Sequence, residues 1–493
     1  MGIRDGRQYL KNLQDDREVH IDGKRVNDVT QHPAFKNTAA TFAALYDFQA
    51  RPENVELMTI QSPTSTNRVN RSWELPTSYE QLVLRRKAIE TWCELHHGFL
   101  GRSPDHLATT LSGMVIGKEV FRRNGEARLK AFLDYFQYVR DNDLFVTYVI
   151  QNPQADKSAG ASGQMRDFVA QIVDQDATGI TIRGAKMLGT SSVMSDELFV
   201  SNIAPLRDGE ERYAFSCALP TGARGLRFLS RRSYEAAVSS AFDYPLSARL
   251  DENDAIVYFD DVKVPWERVF LMGDIGAMRA QWHDTPAHVY QNYQSQVRLM
   301  VKLKFLAGIA RKIAETTGSI AFPQIKGQLG TLAAQATLVE GLVHGMEASA
   351  RRVGDYVVPP AHLLYASQTY TQELYPRFVN AIRDIAGGGM IMLPSSVEDF
   401  ADPLLRRMIE ETQVSATTDS LGRVKLFKLA WDAVGSEFAS RHTQYEMFYG
   451  GATYVNQTNM FAAFDWTRAQ RHVDGELSRM SLPAAQTSTR AAT

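Results

Sequence analysis

The spacing of hydrophobic positions changes twice along the chain. From about 78 to 141, apolar residues recur three and four positions apart, which is typical of amphipathic helices. From Leu144 to about 264, short runs of β-branched and aromatic residues alternate with Gly, Pro and Asp turns, which indicates strands. From about 288 the helical spacing returns and occupies nearly everything that follows. The pattern predicts helices, then a β region, then helices again.

These changes divide the chain into four expected parts. They are a mainly helical domain over 1–143, a β domain over 144–270, a helical bundle over 271–482 and a disordered tail over 483–493. Short strands joined by turns predict an antiparallel sandwich or barrel in the second part. Long helical patterns at 294–318, 331–352, 362–386 and 422–448 predict a four-helix bundle in the third. In the first part, Asp22-Gly23 predicts a hairpin.

Composition narrows the class of protein. The 493 residues include 54 basic and 56 acidic side chains, and this balance gives no reason to expect nucleic acid or a membrane surface as a partner. No apolar run reaches the ~18 residues of a spanning helix, and the polar start of the chain does not resemble a signal peptide. Two cysteines cannot build a disulfide framework. We therefore expect a cytoplasmic protein, and the histidine spacings predict no metal site.

One segment concentrates residues suited to acid–base chemistry. GFLGRSPDH, at 98–106, places Arg102 and His106 in a turn bracketed by Gly101 and Pro104. Gly101 permits close backbone approach, and Pro104 disfavours helix at the residue before it. A guanidinium and an imidazole held together suit a substrate oxygen that must lose its proton. The alternative is an ordinary helix-to-helix loop with solvated charges.

Other segments allow both a functional and a structural interpretation. Tyr148 lies in the first central strand, where a tyrosine either fills the core or turns its hydroxyl to a pocket. Thr190-Ser191-Ser192 closes another strand and suits hydrogen bonding to a flavin or phosphate, although polar strand ends are common. The carboxylates of 244–262 favour a salt-bridged turn in which Asp251 or Glu252 holds Arg249. The pattern YEMFYGG at 445–451 indicates either a helix end or a close approach to a dinucleotide.

Seven segments, in order, resemble those of one enzyme family. They are the start of the chain from about residue 6 to 35, GFLGRSPDH, QNPQADK, GAKMLGTSS, DYPLSARLDENDAIVYFDDVKVPWE, LPSSVEDF and KLAWDAVGSEFASRHTQYEMFYGG. The family is that of the large component of 4-hydroxyphenylacetate 3-monooxygenase. The resemblance implies an α+β fold of the acyl-CoA dehydrogenase type, with an N-terminal helical domain, a central antiparallel β barrel and a C-terminal four-helix bundle. That order agrees with the pattern of hydrophobic positions.

The resemblance also implies a reaction. Family members are homotetrameric oxygenase components that take reduced FAD from a separate NAD(P)H:flavin reductase and use O2. They hydroxylate small phenols next to the hydroxyl group, or at a position from which a halide or nitro group leaves, through a flavin C4a-hydroperoxide. Two rival functions are set against this one. A dehydratase relative needs three cysteines for an iron–sulfur cluster, which two cysteines cannot supply; a non-catalytic flavin-binding paralog on the same scaffold stays open.

The family's site residues match this sequence only in part. Arg102 matches an arginine that binds the phenol oxygen, whereas His106 and Tyr148 occupy the positions of a tyrosine and a histidine, so the two side chains have changed places. Ala204 and Pro205 match the loop that holds a distal carboxylate, but they lack its hydroxyl groups. The resemblance implies flavin contacts at Tyr148, Val149, Ile150, Gln154, Ala155, Asp156, Lys157, Thr190, Tyr449, Gly450, Gly451 and Ala452.

Overall fold

Helices dominate the first part of the chain. The computed structural model describes residues 3–153, 155–164 and 168–482. The helices up to residue 143 are α1 (Gly6–Asn12), α2 (Lys36–Ala50), α3 (Val55–Met58), α4 (Tyr79–Leu95), α5 (Pro104–Ile116), α6 (Glu119–Arg122) and α7 (Glu126–Asp141). The strands are β1 (Glu18–Ile21), β2 (Lys24–Val26), β3 (Thr59–Gln61) and β4 (Arg68–Asn70). Helix α4 begins where Ser78 accepts a hydrogen bond from the backbone of Gln81, as an N-cap serine does.

The predicted hairpin is present and has a second role. Asp22 and Gly23 both have positive φ, of 51° and 73°, and connect β1 to an antiparallel β2. Strand β1 also pairs in parallel with a strand from the central part of the chain, along Glu18 to His20. The first part therefore contributes two strands to the central sheet rather than forming an entirely helical layer.

The central part forms two sheets. Its strands are β5 (Val146–Val149), β6 (Gln171–Asp176), β7 (Gly179–Thr190), β8 (Glu197–Val200), β9 (Phe215–Pro220), β10 (Leu226–Ser230), β11 (Asp254–Pro265) and β12 (Val269–Met272), with a short helix, α8 (Ser247–Leu250), before β11. Along β11 buried and exposed positions mostly alternate, which is the signature of a strand with one face on the core.

The expected antiparallel barrel is wrong in two respects. One sheet has the order β2-β1-β10-β11-β7-β6 and the other β12-β9-β8-β5, and no continuous ladder closes them into a barrel among the described residues. The pairs β1–β10 and β5–β8 are parallel. Strand spacing could not reveal this, because the hairpin at the start of the chain pairs with a strand about 200 positions later.

Long helices form the third part. They are α9 (Ile275–His283), α10 (Ala287–Thr316), α11 (Pro323–Ala348), α12 (Ala361–Ala386), α13 (Pro403–Thr412), α14 (Ser420–Val434), α15 (Glu437–Phe448), α16 (Thr453–Ala463) and α17 (Trp466–Leu477). A hairpin of β13 (Arg351–Val353) and β14 (Tyr356–Val358) separates α11 from α12. The helix expected at 422–448 is two helices, because Ser436 follows Gly435 and caps a new helix by accepting a hydrogen bond from Ala439.

Two helices position the site. Nearly every residue of α5 is buried, and so is the first half of α10 up to Leu303. The two helices pass closely where a Cβ on Gly113 would lie 2.7 Å from the Cα of Ala287. The predicted order of helices, β region and helical bundle is confirmed. The tail expected to be disordered, at 483–493, lies outside the described residues, and no described helix is long and apolar enough to cross a membrane.

Candidate active site

The GFLGRSPDH segment forms the predicted stiff turn between α4 and α5. Gly98 has a positive φ of 73°, and Pro104 is the first residue of α5, where its missing N–H costs no helical hydrogen bond. Gly101 is required by a close approach, since a Cβ there would lie 2.5 Å from the ring of Tyr445. The turn is buried rather than solvated, so its charged side chains need partners inside the protein.

Arg102 is held by three groups. Its backbone N–H donates to Oε2 of Glu252 at 2.8 Å. Its guanidinium donates to Oη of Tyr148 at 3.0 Å and to Oη of Tyr445. Only 7% of the residue is exposed. A planar guanidinium with fixed donors can orient a further oxygen brought into the same space.

His106 lies four positions after Arg102, in the first turn of α5. Its ring is 5.5 Å from the ring of Tyr148, centroid to centroid, and its Nε2 atom is buried with no hydrogen-bond partner among the described residues. Burial lowers the pKa of His106 well below its usual value, and the positive charges of Arg102 and Arg298 lower it further. His106 is therefore a neutral imidazole with an unused ring nitrogen.

Tyr148 belongs to β5 and completes the cluster. Its hydroxyl oxygen accepts hydrogen bonds from Arg102 and, at 2.8 Å, from Nε2 of Gln291 on α10. The ring of Trp282 lies against it edge-on, with centroids 6.1 Å apart. Arg102, His106 and Tyr148, expected together from the resemblance, are thus brought together by α5, β5 and the turn.

Ion pairs connect this cluster to α15. Arg441 donates to Oε1 of Glu252 at 2.6 Å and to both carboxylate oxygens of Asp254. The expected pairing of Asp251 or Glu252 with Arg249 is wrong, because Asp251 pairs with Arg231 and Glu252 with Arg441. Spacing along the chain could indicate a salt-bridged turn but not partners that arrive from another helix.

A second ion pair lies behind the first. Arg298 donates to both carboxylate oxygens of Glu446, at 2.6 and 2.7 Å, and all the side chains involved are fully buried. Lys302 donates to the same carboxylate at 2.9 Å. Burial opposes the charge of Glu446, but Arg298 and Lys302 outweigh that effect and lower its pKa to about 2. This pair fixes α15, and with it Tyr445, against α10.

The residues expected to contact flavin fall into two groups. In the first, Val149 and Ile150 are buried next to Tyr148, and Thr190 donates to Oδ1 of Asp254 at 2.6 Å. Tyr449 stacks on Tyr445 with centroids 5.4 Å apart. Ion pairs and hydrogen bonds therefore connect Thr190 to Arg102, and a ring contact and a hydrogen bond connect Tyr449 to it.

The second group comprises residues 154–157, which follow β5 in the chain. Ala155, Asp156 and Lys157 are exposed, and Gln154 lies outside the described residues. In the loop expected to bind a carboxylate, Pro205 is exposed, and the backbone N–H of Ala204 donates to Oδ1 of Asn202. Among the described residues of these two segments, no hydrogen bond or ring contact reaches the three side chains of the cluster.

Unused hydrogen-bonding groups surround the junction of α15 and α16. Gly450 and Gly451 approach α12, where a Cβ on Gly450 would collide with Nε2 of Gln368 and where Gln372 donates to the carbonyl of Gly451 at 2.7 Å. The Oε1 atoms of both glutamines are buried and have no hydrogen-bond partner in the described part of the chain, and the same holds for both amide atoms of Asn456. Ala452 completes the junction as the N-cap of α16. Side-chain amides with free donors and acceptors fit the polar edge of a flavin ring.

Sequence reasoning missed Gln291 and the contact of Tyr445 with Arg102. A signal for Gln291 existed: the first half of α10 carries polar residues on every side, in QNYQSQ at 291–296, yet it is almost wholly buried. Buried polar side chains on all faces of a helix indicate a network with a purpose beyond packing. In the described part of the chain, no set of three or more His, Cys, Asp and Glu side chains is placed to hold a metal ion.

Comparison with known proteins identifies the family. Residues 5–271 match the model of the 4-hydroxyphenylacetate 3-hydroxylase N-terminal domain, and residues 278–477 match that of the C-terminal domain. The chain belongs to the 4-hydroxyphenylacetate 3-hydroxylase family. The resemblance inferred from seven motifs is therefore confirmed.

Relatives in the 4-hydroxyphenylacetate 3-hydroxylase family differ in their substrates. The chain is 31% identical over 456 residues to a 4-hydroxyphenylacetate 3-monooxygenase oxygenase component from a Geobacillus strain, covering 92% of each chain. It is 34% identical over 452 residues to the oxygenase component of 4-nitrophenol 2-monooxygenase from a Rhodococcus species, covering 90% of this chain and 86% of the relative.

A solved structure shares the fold. The oxygenase component HpaB of 4-hydroxyphenylacetate 3-monooxygenase, complexed with FAD and 4-hydroxyphenylacetate, superimposes with a TM-score of 0.91 at 30% identity. The match covers 97% of this chain and 98% of HpaB. The expected fold class is thereby confirmed, apart from the closed barrel.

Proposed function

We propose that this chain is the oxygenase component of a two-component monooxygenase that hydroxylates a phenol with reduced FAD and O2. The observation that carries the proposal is the buried cluster of Arg102, His106 and Tyr148, in which a fixed cation lies beside an imidazole with an unused nitrogen. This arrangement suits an aromatic hydroxyl group that must be ionised away from water.

Arg102 and His106 have different roles in removing the proton from the substrate's hydroxyl group. A free phenol has a pKa near ~10, so little of it is ionised at neutral pH. The Arg102 guanidinium lowers that pKa by ~1–3 units by favouring the phenolate. His106 stays neutral because its own pKa is held low, so we assign it the role of a proton relay that receives the substrate proton on Nε2 only transiently. The phenolate then has high electron density at its ortho carbon.

The chain also supplies a binding region for FAD. We assign it to Val149, Ile150, Thr190, and Tyr449 to Ala452, with Gln154 and the exposed residues 155–157 as further contacts. When bound in its reduced form, FAD supplies with O2 the oxygen atom that is transferred to the ring. Burial of the cluster excludes water, which limits the loss of that oxygen as hydrogen peroxide.

The loop after β8 lacks hydroxyl groups, and this indicates which substituents the substrate carries. Ala204 and Pro205 offer no hydroxyl group to a carboxylate. We therefore propose a small phenol without a distal carboxylate, hydroxylated next to its hydroxyl group or at a para carbon from which a halide or nitro group leaves.

The proposal includes partners. A separate NAD(P)H:flavin reductase supplies reduced FAD, since the sequence contains no nicotinamide-binding fingerprint. We further propose a homotetramer in the cytoplasm. Support for oligomers comes from α16 and α17, where large apolar side chains are exposed at Tyr454, Phe461, Val473 and Leu477.

A panel of phenols tests the proposal directly. The purified chain, FAD, NADH and any FAD reductase should convert at least one halophenol, nitrophenol or alkylphenol into a hydroxylated product, detected by chromatography. NADH oxidation by the chain with FAD and no reductase would count against the two-component scheme. A chain that binds reduced FAD yet yields only hydrogen peroxide with every phenol would instead be the non-catalytic paralog.

A further inference from the structure

The hydroxyl group of Tyr148 receives two hydrogen bonds. Arg102 donates to its oxygen at 3.0 Å from the turn before α5, and Gln291 donates at 2.8 Å from α10. Tyr148 and Gln291 are both more than nine-tenths buried, so water does not compete freely for these groups. Gln291 has no part in the function proposed above.

Two incoming bonds decide what the hydroxyl can still do. A phenolic oxygen has two acceptor positions and one proton to donate. With both acceptor positions used, only the proton remains, and no described group accepts it. The nearby His106 nitrogen is likewise unpartnered. A buried donor without an acceptor is costly, and a ligand oxygen would remove the cost.

We propose that Gln291 is a positioning residue that fixes the Tyr148 hydroxyl as a hydrogen-bond donor to the substrate's phenolate oxygen. The inference rests on the proposed function. Without Gln291, the hydroxyl could rotate and give its proton to another group, and the phenolate would lose an aligned donor. Gln291 thus acts through Tyr148 on the ionisation of the bound phenol and does not touch the oxygen itself.

The ionisation of a bound phenol can be measured without turnover. The probe is 4-nitrophenol, whose phenolate and neutral forms absorb differently, bound to the chain loaded with reduced FAD in the absence of oxygen. In the wild-type chain the bound probe should ionise at a lower pH than the free probe. In Gln291→Leu this ionisation should move to higher pH, and the phenolate should bind roughly tenfold more weakly, as expected for a lost hydrogen bond to a charged group.

Two further variants separate this role from a structural one. Gln291→Glu places a hydrogen-bond acceptor beside Tyr148, so this variant should bind the phenolate more weakly than Gln291→Leu does. The difference should grow as the pH rises and the new carboxylate ionises. In a Tyr148→Phe background, Gln291→Leu should have no additional effect on the probe. Gln294→Leu is the matched control, since Gln294 is a buried amide on the same helix that donates to Asp105. It should leave the ionisation of the probe unchanged.

The outcomes are distinct. Additive effects of Gln291→Leu and Tyr148→Phe on phenolate binding would overturn the inference. Tight phenolate binding by Gln291→Glu would also overturn it, because it would mean that the wild-type Gln291 presents its amide oxygen, not its N–H, to Tyr148. A wild-type chain that binds no phenol and hydroxylates none would overturn the proposed function itself. Hydroxylation with an unshifted probe in Gln291→Leu would overturn only the role of Gln291.

Discussion

At the scale of single residues, Arg102 combines charge with fixed direction. Its backbone is tied to Glu252, and its guanidinium to Tyr148 and Tyr445. Lysine would keep the charge but has no planar fork with which to satisfy two hydroxyl groups and a substrate oxygen together. The identity of the cation therefore matters as much as its presence.

Arg102→Lys should lower the rate of hydroxylation by roughly 10²-fold, the order seen when an aligned electrostatic donor is removed. The dissociation constant of reduced FAD should hardly change, because the proposed function assigns Arg102 to the phenol oxygen rather than to the flavin. Single-turnover rates and flavin titrations measure the two quantities. Equal losses of hydroxylation rate and of flavin affinity would make Arg102 a structural residue or a flavin ligand.

Arg128→Lys is the control for replacing a partly buried arginine. The Arg128 guanidinium donates to the carbonyls of Trp266 and Val269.

His106→Phe should cost ~10²–10⁴-fold in rate and raise the pH needed for half-maximal hydroxylation. The imidazole no longer accepts the proton, so the substrate must arrive already ionised. Because burial holds the pKa of His106 well below 6.5, its protonation should not limit the wild-type enzyme between pH 6 and 9. Coupled product formation that is the same in both proteins over this range would contradict the role given to His106.

The residues of the site differed in how far the sequence revealed them. Arg102 and His106 lie four positions apart in one turn, so local chemistry was enough to single them out. Tyr148 needed a family resemblance, because a strand tyrosine is more often core. Gln291 and the role of Tyr445 could not be inferred from spacing, since each meets the cluster only through tertiary packing of a distant helix.

At the scale of helices and strands, α15 is anchored by a buried charge network. Glu446 faces Arg298 and Lys302, and none of the three has solvent to stabilise its charge. Such a network contributes little when complete but is costly to break, because an unpaired charge remains inside. The same anchor sets the position of Tyr445, one residue earlier.

Glu446→Gln should lower the free energy of unfolding by ~3–5 kcal/mol, measured by denaturant titration at pH 7. The pKa of Glu446 is lowered from 4.5 to about 2, so its contribution is fully present above pH 4.5 and is lost as the pH falls towards 2. The variant should therefore show a smaller loss of stability over that interval. Glu410→Gln, in an exposed pair with Arg406, should change stability by less than ~0.5 kcal/mol. Equal effects of the two substitutions would refute the anchoring role.

Elements were predicted well where the signal is local. The helix expected at 362–386 is α12, Ala361–Ala386, and Asp22-Gly23 forms its hairpin. The break at Gly435 escaped prediction because hydrophobic spacing continues across it, and one glycine inside a helical pattern is often tolerated. The parallel strand pairs were not predicted, because the pairing of two distant strands cannot be read from the sequence of either strand alone.

At the scale of the whole molecule, we propose that 1–143, 144–270 and 271–482 act as three domains around one site. The cluster takes Arg102 and His106 from the first and Tyr148 from the second. Its hydrogen-bond partners Gln291 and Tyr445 come from the third. The strands β1 and β2 cross from the first to the second, so these domains are interlocked rather than separable.

The proposed tetramer predicts that α16 and α17 are covered in solution. Phe461→Asp combined with Leu477→Asp should yield smaller particles in light scattering coupled to size-exclusion chromatography, since two buried carboxylates would disfavour the contact. Leu229→Asp, at an apolar residue of β10 that is 56% exposed, is the control and should leave the particle size unchanged. A monomeric wild-type chain would refute the tetramer, and an unchanged particle in the double variant would place the contact elsewhere.

The contact between Arg102 and Tyr445 joins positions 343 residues apart. During synthesis the turn before α5 is made well before α15, because 343 residues separate the two contacting positions. Until then the guanidinium lacks one of its hydroxyl partners, and the closing of such a long loop is a late, slow event in folding. A chain interrupted before α15 would therefore lack Tyr445 and, with it, the hydroxyl group that this residue offers to the Arg102 guanidinium.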